Sequence, residues 1–518
     1  MSNPIAPRPA WRDYLSFLLP CLVVAVVVRL YFFSGVSLAD DVNYWTQAIA
    51  TGINGDWPPM KQHWHVRLGL VLPCALLLKI FGLKFWAPYI FTMLGGLLEI
   101  VLIYHIARRL TNESTARLAA WLCVFYPLSV LYSTYLFVDL WAGVTGAASL
   151  YFWHRGLVAD RIRYYALSSA FFGIAWLFRE TVMMCLPIFI ALWIHSRRWH
   201  SRKFLWIFPP ALLILGGELL LHELSSGNWH YRFDAIFGAQ GQLKADFSSV
   251  KSFWLEPLVE LLTSHEMGIF MVSALFIAAL RFSRYSRPLA LWLLVGFGWF
   301  CWGTMVPFAW LPLQGDPRYL TVLNIPCLIL LAAWVNGLGK RVWRIATVSL
   351  LILSALICCE MDLGTVKKTA YQRFAKSKYN SPEVALEPFI YFGTRAALGF
   401  RTNNVHFACA SDLGRATAMK QMDAIPGTRI ISSDEAHYLV VTPDTHYEKM
   451  KKQTTKGWKV VAAIRGKNNP LRDAAVKFLT YFGQPGRREP IVRKPTLVIL
   501  ENPHWPPEKI TSQNENDK

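Results

Sequence analysis

Apolar residues in this chain come in long unbroken runs. Between Leu15 and Cys359 the runs follow one another with short polar connectors, and after Cys359 they stop. A hydrocarbon core about 30 Å thick takes roughly 20 residues of helix to cross. Runs of that order predict spanning helices at about 15–34, 86–106, 116–137, 138–156, 164–178, 181–196, 203–223, 266–282, 288–306, 319–339 and 342–359. Beyond residue 360 the pattern changes. "AHYLVVTP" and "GWKVVAAI" are β-branched runs of strand type, with a polar helical stretch beginning between them near Thr445. "PTLVILENP" reads as a final strand, and the polar tail after Pro507 as disorder. The expected organisation is a transmembrane domain over 1–359 and a soluble α/β domain over 360–518 with a disordered C-terminal tail. The first apolar run has no small-residue cleavage site after it, so it reads as a retained anchor.

One further run, 66–82, decides the topology, because crossing there would invert everything downstream. Basic residues settle it. They cluster in the connectors at 108–117, 155–163, 197–203, 281–287 and 340–344, while the alternate connectors are poor in them. Basic loops stay cytoplasmic, and all of these fall on one side, with Arg8 and Arg12 of the N-terminus, only if 66–82 does not cross. That run, which carries Pro73 and Lys79, therefore reads as a juxtamembrane or re-entrant helix. About eleven spans from a cytoplasmic N-terminus put 35–65, 224–265, 307–318 and 360–518 outside.

Composition agrees with a polytopic membrane protein: 54% of residues are hydrophobic. The net charge of +20 follows the short connectors, so topology explains much of it and nucleic acid is not needed as a partner. No zinc-finger spacing, P-loop or dinucleotide fingerprint is evident. Of nine cysteines only Cys409 lies in the C-terminal domain, which excludes a disulfide framework there.

Ionisable groups in or beside spans are expensive and mark candidate sites. On this topology Asp40 and Asp41, His63, His65 and Arg67, Asp139, Arg179 and Glu180, Glu218, His222 and Glu223, and Asp316 and Arg318 all lie near the outer face. Acids and bases together at a lipid–water boundary make a candidate reaction site. Plainer readings stand beside this one. Asp40 and Asp41 also suit a solvated loop start, the histidines flanking Trp64 an interfacial aromatic belt, and Arg179 and Glu180 a structural ion pair. Arg29 reads as a side chain snorkelling to the outer interface. Glu99 falls mid-helix, away from the cluster, as a buried hydrogen-bonded or protonated acid would.

Several segments resemble one family in matching order. "ADDVNYW" resembles the acidic motif that follows the first span of the GT-C glycosyltransferases, in the branch of protein O-mannosyltransferases and lipid A aminoarabinose transferases (glycosyltransferase family 39 type). "HWHVRLGLVLPCALLLKIFG" is similar to the segment where that family carries His-Pro-Pro-Leu or a Glu-Lys-Pro variant. "YLFVDLWAG" resembles its Asp at an outer helix junction, "GDPRYLTVLNIPCLILLAA" its late Arg-Tyr helix, and "GNWHYRF" an aromatic outer-loop stretch. The resemblance covers roughly residues 10–340. Asp41 stands where the family has Glu, and Val66–Arg67 replaces the usual Pro-Pro or Lys-Pro.

The resemblance implies an α-helical polytopic membrane protein of GT-C type, to which the strand pattern and the charge topology add a C-terminal extracytoplasmic α/β domain. It implies a glycosyltransferase of the cell envelope that moves a hexosyl or pentosyl group from a polyprenyl-phosphate donor to a lipid, glycan or protein acceptor, with inversion. Asp40 is then the candidate base, with Asp41 beside it in the same role or orienting it. Arg67 and Arg318 are candidates for the leaving phosphate, because Arg forks onto phosphate oxygens. His65 and Tyr319 are candidates for hydrogen bonds to donor or acceptor, and Asp139, Arg179 and Glu180 for substrate contacts. No metal ligand set is assigned; a divalent metal is compatible with such chemistry but not indicated. The partners implied are the lipid-linked donor, the acceptor and the bilayer, in a bacterial inner membrane with the active site outside. The rival readings are a transporter or lipid-linked sugar flippase, which would favour internal repeats and a midplane site, and a scaffold without chemistry.

Overall fold

The structure, a computed structural model, describes residues 11–33, 35, 39–55, 66–197, 202–235, 256–264, 266–280, 287–303 and 317–360, together with short stretches of the C-terminal region. His65, His63 and Asp316 lie outside the described residues. The chain divides into two compact units: Met1–Phe33, Asp56–Leu77 and Ala87–Asp362 form one, and Ser34–Gly55, Leu78–Trp86 and Leu363–Lys518 the other.

The first unit is a helical bundle built from the apolar runs. Its main helices are α1 (Trp11–Tyr31), α3 (Leu68–Phe81, whose last turn belongs to the second unit), α4 (Ala87–Leu110), α5 (Glu113–Phe125), α6 (Pro127–Tyr132), α7 (Asp139–Ala159), α8 (Ile162–Phe178), α9 (Leu186–Ser196), α10 (Pro209–Ser226), α11 (Glu256–Thr263), α12 (Gly268–Leu280), α13 (Arg287–Trp302), α14 (Asn324–Asn336) and α15 (Arg341–Glu360). Among the described residues, Ala87–Leu110, Arg202–Ser226, Pro317–Asn336 and Arg341–Glu360 are each long and apolar enough to cross a membrane. Several of these helices turn large apolar side chains outward, such as Leu213 on α10 at 79% exposure and Val342 on α15 at 74%. In water that face would be costly; against lipid it is not.

Several sequence-predicted spans are interrupted. The run 116–137 breaks at Tyr126, which has extended backbone (φ −60°, ψ 121°) and is followed by Pro127 at the first position of α6. The proline ring pushes its predecessor out of the helical region, so α5 ends there. The run 181–196 opens with a 3₁₀ turn over Glu180–Cys185, and the run 319–339 with one over Pro317–Leu323.

Arg29 does not snorkel. It is fully buried and donates to the carbonyls of Ala25 (3.3 Å) and Val124 (3.5 Å) and to Ser129 Oγ (3.0 Å). The Val124 carbonyl is one of those left without an intrahelical partner where α5 stops. A cation at a helix C-terminus is favourable twice over, as a donor and by the helix dipole. Glu99, on α4, completes the arrangement, accepting from Ser129 Oγ and from Asn324 Nδ2 (2.8 Å). It is 1% exposed and electrostatically coupled to Arg29.

In the second unit, α2 (Ala39–Ile49) stands where the sequence suggested only an outer loop. It runs into a π-helical turn, Ala50–Asn54, closed by Gly55 in the left-handed region (φ 77°). Nine consecutive residues from Asp41 to Ile49 are buried, and Trp45 stacks on Phe85 at 6.1 Å. The C-terminal region contributes a sheet of six strands, β1 (Val384–Leu386), β2 (Ala408–Ala410), β3 (Ile430–Ile431), β4 (Tyr438–Val441), β5 (Lys459–Ile464) and β6 (Leu497–Glu501), in the order β3-β2-β1-β4-β6-β5. Strands β3, β2, β1 and β4 are parallel, whereas β6 runs antiparallel between β4 and β5. The three sequence-predicted strands are β4, β5 and β6; the helical stretch near Thr445 and the polar tail lie outside the described residues.

Candidate active site

Two charged clusters form within the helical unit, and both start from the end of α8. Arg179 follows Phe178 in extended backbone (φ −159°, ψ 132°), and Glu180 opens the 3₁₀ turn behind it. Successive side chains on extended backbone point in opposite directions. The two neighbours therefore reach different partners rather than each other. Arg179 pairs with Asp139, the first residue of α7. Glu180 takes the Arg67 guanidinium in a two-pronged pair, with Nη2 donating to Oε1 at 2.9 Å.

The Glu180 cluster extends further. Arg232 is fully buried; its Nη2 lies 3.6 Å from Glu180 Oε2, and its Nη1 pairs with Glu218. It also donates to the carbonyls of Val66 (3.2 Å) and Trp176 (2.6 Å), and lies over the Trp176 ring at 4.7 Å. Trp176 Nε1 donates to the other oxygen of Glu218 at 2.6 Å, and His222, one turn along α10, brings Nε2 within 3.6 Å of that carboxylate. Two arginines and two glutamates balance. The chain entering α3, the end of α8 and the C-terminal half of α10 are thereby tied to one point. Buried charges persist only when paired and hydrogen-bonded in this way.

The second cluster lines a shallow cleft, formed by Asp139, Ala142 and Gly143 of α7, Thr181, Val182 and Cys185 of the turn after α8, Phe300 of α13, and Arg318, Tyr319, Thr321 and Val322. Arg179 stacks over the Tyr319 ring at 4.3 Å, and Arg318 lies 5.3 Å from that ring and 5.6 Å from Phe137. The 3₁₀ turn carrying Arg318 and Tyr319 is fastened to α7 by Thr321 Oγ1, which donates to the Asp139 carbonyl at 2.8 Å. The contact is close because residue 143 is glycine: a Cβ there would come within 2.5 Å of Thr321 Oγ1. Arg318, threonine hydroxyls and the Tyr319 ring line the cleft beside the Asp139 carboxylate, which Arg179 neutralises, and such a lining suits an anionic ligand.

Of the sequence candidates, Asp139, Arg179, Arg318 and Tyr319 come together at this cleft, and Arg67 and Glu180 form the core of the other cluster. Asp40 and Asp41 open α2 in the second unit, Asp40 half-buried and Asp41 buried. His65 lies outside the described residues. Sequence reasoning missed the place of Arg232. Its one signal was a cation inside the aromatic stretch "GNWHYRF".

Residues 71–216, less than a third of the chain, match the family described as dolichyl-phosphate-mannose-protein mannosyltransferase. No curated protein matches by sequence. Among solved structures, ArnT from Cupriavidus metallidurans in the apo state is similar at a TM-score of 0.57 and 15% identity, covering 95% of this chain and 98% of that one. ArnT bound to undecaprenyl phosphate is similar at 0.55 and 13% identity, covering 94% and 98%. With the fold of the ArnT structures shared over nearly its whole length, the mannosyltransferase pattern over 71–216, and four helices among the described residues long and apolar enough to cross a bilayer, the chain is an integral membrane protein similar to the GT-C glycosyltransferases.

Proposed function

We propose that the protein transfers a sugar from a polyprenyl-phosphate donor to an extracytoplasmic lipid, glycan or protein acceptor. The observation that carries the reading is the cleft at which Arg318, Tyr319, Thr181 and Asp139 converge in a GT-C fold. A structural neighbour binds undecaprenyl phosphate, and the family matched at 71–216 is described by a dolichyl-phosphate-linked donor. In this reading the acceptor hydroxyl or amine attacks the anomeric carbon and gives its proton to Asp40, with Asp41 orienting it or sharing the task. The bond from that carbon to the phosphate oxygen breaks, the lipid phosphate leaves with the electron pair, and the anomeric centre inverts. Arg318 meets the charge that develops on the phosphate. Arg67 is held by Glu180, so it serves the phosphate once a ligand displaces Glu180. His65 supplies a hydrogen bond to donor or acceptor.

The same reading gives about eleven spans and a cytoplasmic N-terminus, with the active site and the C-terminal α/β domain on the outer side of a bacterial inner membrane. The C-terminal domain caps the membrane part or selects acceptors. The test is binding of undecaprenyl phosphate to the purified protein in lipid nanodiscs, followed by sugar transfer from undecaprenyl-phosphate-linked sugars. Saturable binding that weakens in Arg318→Ala is expected. Absence of binding by the wild-type chain, with no transfer from any such donor, would end the proposal.

A further inference from the structure

Glu99 has no place in the reaction outlined above, yet it sits at the centre of a buried polar network far from any need to be there. An acid in the middle of a membrane helix is expensive unless it has a task. Its partners indicate one. Asn324, fully buried, donates to Glu99 at 2.8 Å, and Ser129, which also donates to it, is in turn held by Arg29 at 3.0 Å. Asn324 is the first residue of α14 and directly follows the 3₁₀ turn Pro317–Leu323 that carries Arg318 and Tyr319.

A 3₁₀ turn has poor internal hydrogen-bond geometry and does not fix its own position well. This one is fastened at two points instead. Thr321 ties its middle to the Asp139 carbonyl at 2.8 Å, and Asn324 ties its end to Glu99. Both anchors are buried hydrogen bonds, so neither is readily exchanged for water. Glu99 is itself immobilised by Ser129 and by the charge of Arg29, which spans from α1 to the end of α5. The position of α14, and of the turn before it, is thus set by a carboxylate on α4.

We infer that Glu99 and Asn324 are a positioning pair for Arg318 and Tyr319, holding the 3₁₀ turn at the spacing from Asp139 that a lipid phosphate requires. The inference rests on the proposed reading of the cleft as the donor site. Neither residue of the pair lines the cleft, so they act only through the turn.

The experiment is a double-mutant cycle on undecaprenyl phosphate affinity in nanodiscs, using Asn324→Leu, Arg318→Ala and the double variant. Arg318→Ala should weaken binding roughly ten- to a hundredfold, the value of a charged hydrogen bond. Asn324→Leu, which keeps the volume but removes the donor, should weaken it several-fold in the wild-type background and scarcely at all once Arg318 is gone. A merely structural residue would lower the melting temperature and leave this coupling at zero. Asn324→Ala removes the same donor without placing an apolar branch beside Glu99, and should give the same non-additive pattern even if Asn324→Leu does not fold. Wild-type affinity in a folded Asn324→Leu or Asn324→Ala, or an equal loss with and without Arg318, would overturn the positioning role while leaving the cleft reading intact. Unchanged affinity in Arg318→Ala would sink the cleft reading itself, and the positioning role with it.

Discussion

Glu180 holds two guanidinium groups at once, Arg67 in a two-pronged pair and Arg232 at 3.6 Å. Removing its charge leaves buried cations short of an anion, which costs on the order of 3–5 kcal/mol for a buried pair. Glu180→Gln should therefore lower the unfolding midpoint markedly, and thermal unfolding in detergent or nanodiscs reads this. An unchanged midpoint would mean that Glu218 alone suffices. Asp40 carries the opposite kind of prediction. Asp40→Asn keeps the shape and removes a proton acceptor, so expression and donor binding should stay near normal while turnover falls by roughly 10²–10⁴. Near-normal turnover there, with the loss confined to Asp41→Asn, would move the role to Asp41. The candidate residues were legible because charge beside a membrane is costly. Their partners were not. Arg179 and Glu180 read as a pair in one dimension, but the extended backbone at Arg179 sends them to Asp139 and Arg67 instead.

Elements give a second set of lessons. Most apolar runs became helices within a few residues of their expected bounds, because length and hydropathy suffice for that. What the pattern hid were the interruptions. Pro127 lies inside an apolar run, and its effect on Tyr126 was a known hazard of that residue type rather than a visible break in hydropathy. The helix α2 was hidden for a different reason: "ADDVNYWTQAI" is amphipathic and polar at its start, so it resembles a loop when only spans are sought. The strands β1 to β3 are two or three residues long, too short for an alternation signal. Packing between elements yields its own prediction. A Cβ at position 143 would meet Thr321 Oγ1 at 2.5 Å and its backbone carbon at 2.8 Å. Gly143→Ala should cost about 1–3 kcal/mol as overpacking, and by displacing the turn it should also weaken undecaprenyl phosphate binding. A variant with full affinity and an unshifted midpoint would show that the turn has room to move.

For the whole molecule the basic connectors make a firm expectation. Reporter fusions after Ser201 and after Asn380 should read opposite sides of the membrane, cytoplasmic and external respectively. If both report the cytoplasm, the proposed orientation fails. Truncation before residue 375 should reduce acceptor use or stability; an isolated C-terminal fragment that transferred sugar by itself would contradict a helper role. Finally, the buried Arg29–Ser129–Glu99 link has a consequence for how the chain is made. While the chain is being synthesised, α1 and α4 enter the bilayer as separate helices, with Glu99 in the middle of α4 and Arg29 in the last turn of α1 each disfavouring insertion. Neither penalty is relieved until the two helices meet around Ser129. Helix α1 must therefore wait, with its arginine reaching for water or lipid phosphate, for a carboxylate that is made some seventy residues later. Biogenesis of this protein is thus expected to hold α1 beside the insertion machinery until α4 and α5 arrive, and a chain lacking the arginine or the acid alone should be a substrate for membrane quality-control proteolysis.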